Sequence, residues 1–298
     1  MADAGRDRFG PPPAGERRGD RIEYRDAFVA QEQGYRPLLL DLVAPAGTTG
    51  PVPVVLWIHG GGWLNGSPKV TPDWLAGEDH VGRLLAAGCA VALPAYRLSR
   101  EAAFPAPLHD LKSAIRYLRL YAADLGIDPS RVGVWGESAG GLLASLLALS
   151  PDEGEVGVTE GHSRVQAAVS WYGPADLATM QAHRHPRATG DHDADDSPES
   201  LLIGAPVTRS PEKAAAASPV TYARRDAPPI LLLHGEEDVV VGYRQSVELA
   251  AALRAAGAPV ELELVPGADH LVGGADLGAQ VRRSVEFLAR TLGGPPQI

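Results

Sequence analysis

Ser138 stands in the middle of Gly136-Glu137-Ser138-Ala139-Gly140, a G-x-S-x-G pattern within RVGVWGESAGGLLASLLAL. The residues before it read as a strand and those after it as a helix, the context in which a serine is lifted above a sheet on a strained turn. The flanking positions must then be small enough for two backbone segments to pass closely, and Gly136 and Gly140 meet that need. A serine opening a helix also meets free amides and the positive end of the helix dipole, both suited to developing negative charge. A glycine-rich turn with an incidental serine would show the same five letters, so the rest of the chain must supply the partners.

The second constellation is His59-Gly60-Gly61-Gly62-Trp63, directly after VVLWI. Acyl transfer passes through a tetrahedral oxyanion, which preorganised backbone N–H groups stabilise, and losing one such donor costs roughly 3 to 4 kcal/mol in barrier height. The amides of Gly61 and Gly62 are expected to act with that of Ala139. A phosphate cradle is excluded, because neither the Lys-Ser/Thr of a phosphate loop nor a full G-x-G-x-x-G spacing is present. His59 is expected to orient this loop together with Gly60 rather than to act as a base. Trp63 either lines an acyl pocket or packs beneath the loop.

A serine hydroxyl is a weak nucleophile at neutral pH and needs an imidazole held in one tautomer by a carboxylate. After PILLL comes His234-Gly235-Glu236-Glu237-Asp238-Val239-Val240-Val241, and after VELELV comes Pro266-Gly267-Ala268-Asp269-His270. Asp238 is favoured over Glu237 and Glu236 as the acid, because it occupies the acid position of H-G-x-x-D-x-x-V. Most of the 9 histidines should be surface residues. His270 stands apart by lying in a loop after the last predicted strand.

These groups need a rigid frame. Ile22–Arg25, Leu38–Leu42, VPVVLWIHG, CAVALP, RVGVWG, QAAVSWYG, PILLLHG and VELELVPG are short extended or apolar segments, most ending in glycine or proline. Leu111–Ala122, Ala139–Leu149, Gln245–Ala256 and Val281–Leu292 have helical apolar spacing and good helix formers. Such alternation predicts an α/β fold with a mostly parallel sheet covered on both faces. Residues 1–20, rich in glycine, proline and charge, are expected to be a disordered lead, with a single domain over 21–298. Residues 174–217, rich in Asp, His, Pro and Ser, break the rhythm and are expected to be a cap or lid insertion. His183, His185, Asp191, His192, Asp193, Asp195 and Asp196 lie there, and their irregular spacing fits a solvated loop better than a metal site. His109-Asp110 opens the helix DLKSAIRYLR, where a first-turn carboxylate suits the dipole.

At 298 residues with 45% hydrophobic content, the chain can bury a large core in one domain. A formal net charge of -10 disfavours phosphate backbones and anionic lipid, so no nucleic-acid partner is expected. Neither a secretory signal nor an apolar run of about 18 residues is seen, which predicts a cytoplasmic chain with no membrane span. Homo-oligomerisation is left open. Cys89, the single cysteine, sits in AGCAVALP and reads as a buried strand residue.

Over residues 35–290 the chain resembles the esterase/lipase superfamily of α/β-hydrolases, especially the acetyl-xylan/feruloyl-esterase-like (BD-FAE type) group near the hormone-sensitive-lipase branch. The likeness extends beyond the motifs to RPLLLDLVAPAG, PAYRLS, FPAPLHDLKSAIRYLR, GIDPSRVGVWGESAGG, SWYGPADL, ESLLIGAPV and SPVTYARRDAPPILLLHGEEDVVV. Serine, then acid, then histidine is the order of that superfamily. The resemblance implies hydrolysis of a small-molecule carboxylic ester through an acyl-serine, without metal or organic cofactor, using Ser138, Asp238 and His270. Asp269 departs from the small residue common before the histidine and is expected to face solvent. An arylformamidase-like amide hydrolase would use the same loop and triad. A catalytically inactive binding protein on this fold would have lost a triad member, and all three are present. A peptidase of the prolyl-oligopeptidase type would need a large propeller, and a dienelactone-type hydrolase a cysteine at position 138. Few aromatics (6%) and no strongly apolar lid favour short acyl chains.

Overall fold

The computed structural model describes residues 10–32, 34–154 and 156–293. Nine strands form one sheet: β1 (Glu16–Arg18), β2 (Arg21–Ala30), β3 (Leu38–Pro45), β4 (Val52–Ile58), β5 (Ala90–Pro94), β6 (Ile127–Glu137), β7 (Ala167–Trp171), β8 (Ile230–Gly235) and β9 (Val260–Val265). Their spatial order is β1-β2-β3-β5-β4-β6-β7-β8-β9. The β1–β2, β2–β3 and β3–β5 pairings are antiparallel, and every pairing from β5–β4 onward is parallel. This is the α/β-hydrolase fold.

The apolar run VPVVLWI is buried at every position because both sheet faces are covered. Its side chains alternate between two cores. Val54, Leu56 and Ile58 join the core that contains side chains of the helices Ala106–Leu120, Ala139–Leu149 and Arg244–Ala256, while Val55 and Trp57 join Leu84, Val281, Val285 and Leu288 on the opposite face. The last three of these lie on the C-terminal helix Leu277–Thr291, spaced by four and three residues so that they share one helix face. Asp276 caps that helix by accepting the Ala279 N–H at 2.9 Å. Ala139–Leu149 is buried along its whole length, as a helix apolar all round must be.

Two expectations are corrected. Order begins before Arg21: β1 pairs with β2 through Glu16↔Glu23, and Arg18 forms ion pairs with Glu16 and Glu23. Gly19, at φ 66, makes the tight turn between them. Residues 1–9 of the expected lead lie outside the described residues. The helix expected over Leu111–Ala122 runs from Ala106 to Leu120, so Asp110 lies beyond its first turn. Asp110 is buried and accepts hydrogen bonds from the backbone and guanidinium of Arg97 at 2.7–3.1 Å, tying that helix to the chain after β5. Residues 174–217, expected as a cap or lid insertion, hold the short helices Met180–His183, Pro198–Ile203 and Pro211–Ala216 and a 3-10 turn at Val207–Arg209, while 184–196 form neither helix nor strand.

Cys89 is fully buried, and burial pushes its thiol up to about 11. Among the described residues, no helix is long and apolar enough to cross a membrane.

Candidate active site

β6 carries the chain into the Ser138 turn at the carboxyl end of the parallel strands. Ser138 has φ 53 and ψ −120, a strained conformation for a residue with a Cβ. Its N–H donates to Trp171 O at 2.9 Å, so the end of β7 holds the turn from one side. The close approach on which the sequence argument rested is present: a Cβ on Gly136 would collide with the Gly140 carbonyl, and one on Gly140 with the backbone of Ile58 and His59. Strand, turn and helix therefore pass each other with room for hydrogen atoms alone.

Ser138 Oγ lies 3.0 Å from His270 Nε2. His270 Nδ1 lies 2.7 Å from Asp238 Oδ2, and Asp238 is 1% exposed. Burial alone would favour the neutral acid. Hydrogen bonds and charge from His234 and His270 outweigh it and hold the Asp238 carboxyl well below the usual carboxylate range. Its other oxygen accepts the N–H groups of Val240 and Val241, both at 2.8 Å. Glu237 turns outward to Arg187 at 2.6 Å and His185 at 3.5 Å, and the carboxylate paired with His270 among the described residues is that of Asp238. Asp269 is exposed and accepts the N–H groups of Leu271 and Gly273, bracing the histidine loop.

The glycine loop follows β4 and faces the same turn. Gly61, at φ 104, adopts a backbone that a side chain would strain, and its carbonyl closes the turn by accepting from Leu64 and Asn65. The amides of Gly61, Gly62 and Ala139 donate to no protein acceptor among the described residues. His59 is buried and stacks on Tyr96 at 4.4 Å, and the Tyr96 hydroxyl donates to the His59 carbonyl at 2.8 Å. Burial lowers the His59 imidazole to about 4, so it is neutral near pH 7. Its ring bonds the Gly60 carbonyl at 2.8 Å, whereas Ser138 Oγ is bonded to His270. Trp63 is 2% exposed and its Nε1–H donates to Ala139 O at 3.0 Å, so it packs beneath the loop and joins it to the Ser138 helix.

The Asp- and His-rich segment disperses. His192 is buried against Glu199 at 3.0 Å, His183 lies beside Gln245 and Glu248, His185 reaches Glu237, and Asp195 pairs with Arg209. Among the described residues, no three His, Cys, Asp or Glu side chains converge to hold a metal.

The model of the BD-FAE family matches residues 40–253, well over half of the chain. The chain belongs to the BD-FAE family. Among its curated relatives are the probable carboxylic ester hydrolase LipM of Mycobacterium tuberculosis, 31% identical over 81% of this chain and 55% of LipM, and the esterase LipQ of the same organism, 34% identical over 77% of this chain and 52% of LipQ. The chain thus spans about half the length of these relatives. A truncated carbohydrate esterase from gut microbiota superposes with a TM-score of 0.79 at 30% identity, covering 94% of this chain and all of the other.

Three neighbours of this BD-FAE site were not found from sequence. Tyr172, fully buried at φ 40, sets its ring 4.7 Å from that of His270. His234 hydrogen-bonds Ser246 through Nδ1 and the Val241 carbonyl through Nε2, with Asp238 Oδ2 3.2 Å from the same Nε2. Glu137 accepts the Gly60 N–H at 2.6 Å. Glu137 and His234 lie inside quoted motifs, and a polar residue beside a glycine at a buried strand end is the available signal. Tyr172 carried none, since an aromatic ending a strand is ordinary.

Proposed function

We propose that this protein is a serine carboxylesterase that hydrolyses short-chain acyl esters through an acyl-serine intermediate. The observation that carries the reading is the continuous hydrogen-bonded chain from Ser138 through His270 to Asp238, at 3.0 and 2.7 Å. His270 Nε2 takes the proton as Ser138 Oγ attacks the ester carbonyl, and ionised Asp238 holds the ring and stabilises the imidazolium that forms. The oxyanion receives hydrogen bonds from the amides of Gly61, Gly62 and Ala139. His270 then protonates the departing alcohol, and a water activated by the same imidazole releases the acid. Apart from the ester and the water, every group in these steps belongs to the chain, and no cofactor is required.

The names of LipM, LipQ and the gut esterase support ester hydrolysis as the reaction class. An alcohol portion of carbohydrate type is supported by the gut esterase's name. The test is turnover of p-nitrophenyl acetate, butyrate and a long-chain ester by wild type and Ser138→Ala. The proposal requires the acetate to be preferred and the variant to lose at least about 10³-fold in kcat; equal rates for the two proteins would sink it, and a preference for the longest ester would remove the short-chain part.

A further inference from the structure

We infer that Glu137 is the positioning residue of the glycine loop: its carboxylate clamps the backbone at Gly60 and thereby fixes where the amides of Gly61 and Gly62 point. The inference rests on the ester-hydrolase reading and adds to it a residue that the triad and oxyanion donors do not include. Glu137 is the last residue of β6, and Ile58, which ends the neighbouring β4, pairs with Gly136 in register. From that position its Oε1 accepts the Gly60 N–H at 2.6 Å across a separation of 77 residues in sequence. The side chain is 6% exposed. Burial pushes its carboxyl up, while the Gly60 N–H and nearby His270 favour the charged form. A hydrogen bond to a carboxylate is among the stronger ones, and a low-dielectric site strengthens it further.

Gly60 and Glu137 specify each other. A Cβ at Gly60 would lie 2.5 and 2.6 Å from the two carboxylate oxygens and 2.7 Å from the carboxylate carbon. Gly60 is not among the residues with positive φ. Its backbone conformation is therefore open to alanine, and the nearest atoms that a side chain would meet there are those of the carboxylate. The loop's other side-chain ties reach carbonyls rather than N–H groups: His59 Nδ1 bonds the Gly60 carbonyl at 2.8 Å, Tyr96 the His59 carbonyl and Trp63 the Ala139 carbonyl. Among the described residues, Glu137 is the one side chain bonded to an amide of Gly60, Gly61 or Gly62.

The experiment is a double-mutant cycle in the full chain, with kcat and KM for p-nitrophenyl acetate measured separately and a thermal melt for each variant. Glu137→Ala should lower kcat by about 10²-fold, the lower range for losing one oxyanion donor, while KM changes far less. Glu137→Gln keeps an oxygen that accepts the Gly60 N–H and should recover most of that loss. Gly60→Ala should be severe in the wild type and much milder on Glu137→Ala, because the clash partner is gone. Wild-type kcat in Glu137→Ala, an equal loss in the Gln variant, or the same effect of Gly60→Ala in both backgrounds would each overturn the clamp. If Glu137→Ala fails to fold, Glu137→Met, which fills similar volume without accepting a hydrogen bond, takes its place: the clamp predicts an about 10²-fold loss of kcat there beside near-wild-type turnover in Glu137→Gln, and equal turnover of the two variants overturns it. Ser138→Ala separates the two ideas: turnover surviving there defeats the ester reading, whereas an inactive Ser138→Ala beside a fully active Glu137→Ala defeats the clamp alone.

Discussion

Replacing Asp238 by asparagine exchanges one oxygen for an amide nitrogen, and the surroundings dictate which way that amide must face. Oδ1 accepts the N–H groups of Val240 and Val241, both at 2.8 Å, while Oδ2 lies 2.7 Å from His270 Nδ1. With its amide turned the other way, asparagine would point hydrogens at two backbone N–H groups. The carbonyl oxygen therefore stays on the backbone and the NH2 group faces His270. Nδ1 must then accept, the ring proton moves to Nε2, and Ser138 Oγ loses the acceptor now 3.0 Å away. In a Ser-His-Asp triad this change of tautomer lowers kcat by about 10⁴, equivalent to about 5 kcal/mol in barrier height. Stability should fall far less. Both backbone contacts survive, and the new NH2 group is set against His234 Nε2, 3.2 Å from Oδ2, for about 1 kcal/mol. The assay is p-nitrophenyl acetate turnover above neutral pH beside a urea titration. Glu237→Gln, altering the exposed partner of Arg187, is the comparison and should stay within about threefold of wild type. An Asp238→Asn enzyme retaining more than about a tenth of wild-type kcat would refute the tautomer argument.

Two further outcomes follow from buried groups near the site. Trp63→Phe removes the Nε1–H bond to Ala139 O and should cost about 1 kcal/mol in urea titration, with a several-fold fall in kcat as the loop loses its tie to the Ser138 helix; unchanged kcat would mean that the tie does not position the loop. His80 is buried against Trp57 with Nε2 unpartnered among the described residues, and burial lowers its imidazole from 6.5 to about 4. Between those values the unfolded chain binds more protons than the folded one, so stability rises with pH there and is lost as pH falls toward 4, by up to about 3 kcal/mol from this residue. Urea titrations across that range should show a shallower acid loss in His80→Phe; identical slopes would contradict the assignment.

The parallel strands and their order of chemistry were legible in sequence because a strand buried on both faces leaves a continuous apolar run, as VPVVLWI does. The turn at Ser138 was legible because only glycines tolerate the contacts found at Gly136 and Gly140. Asp238 could be chosen over Glu237 from spacing alone, and the geometry brings Asp238, not Glu237, to His270. The β1–β2 hairpin was missed because its first strand, ERR, is held by charge pairs rather than an apolar pattern. Asp110 was misplaced because its role depends on Arg97, which lies before the helix and carries no signal of that pairing. Tyr172 meets His270 only through the folding of two separate loops, which no local pattern encodes.

The central claim is that Ser138 is the nucleophile, and covalent labelling addresses it most directly. Wild-type protein is treated with a fluorophosphonate, residual p-nitrophenyl acetate turnover is followed, and the modified peptide is located by mass spectrometry. One label per chain on the peptide containing Ser138, with activity lost in proportion and no label in Ser138→Ala, is the predicted result. Turnover that survives complete labelling of Ser138, or inactivation with the label on another residue, would contradict it.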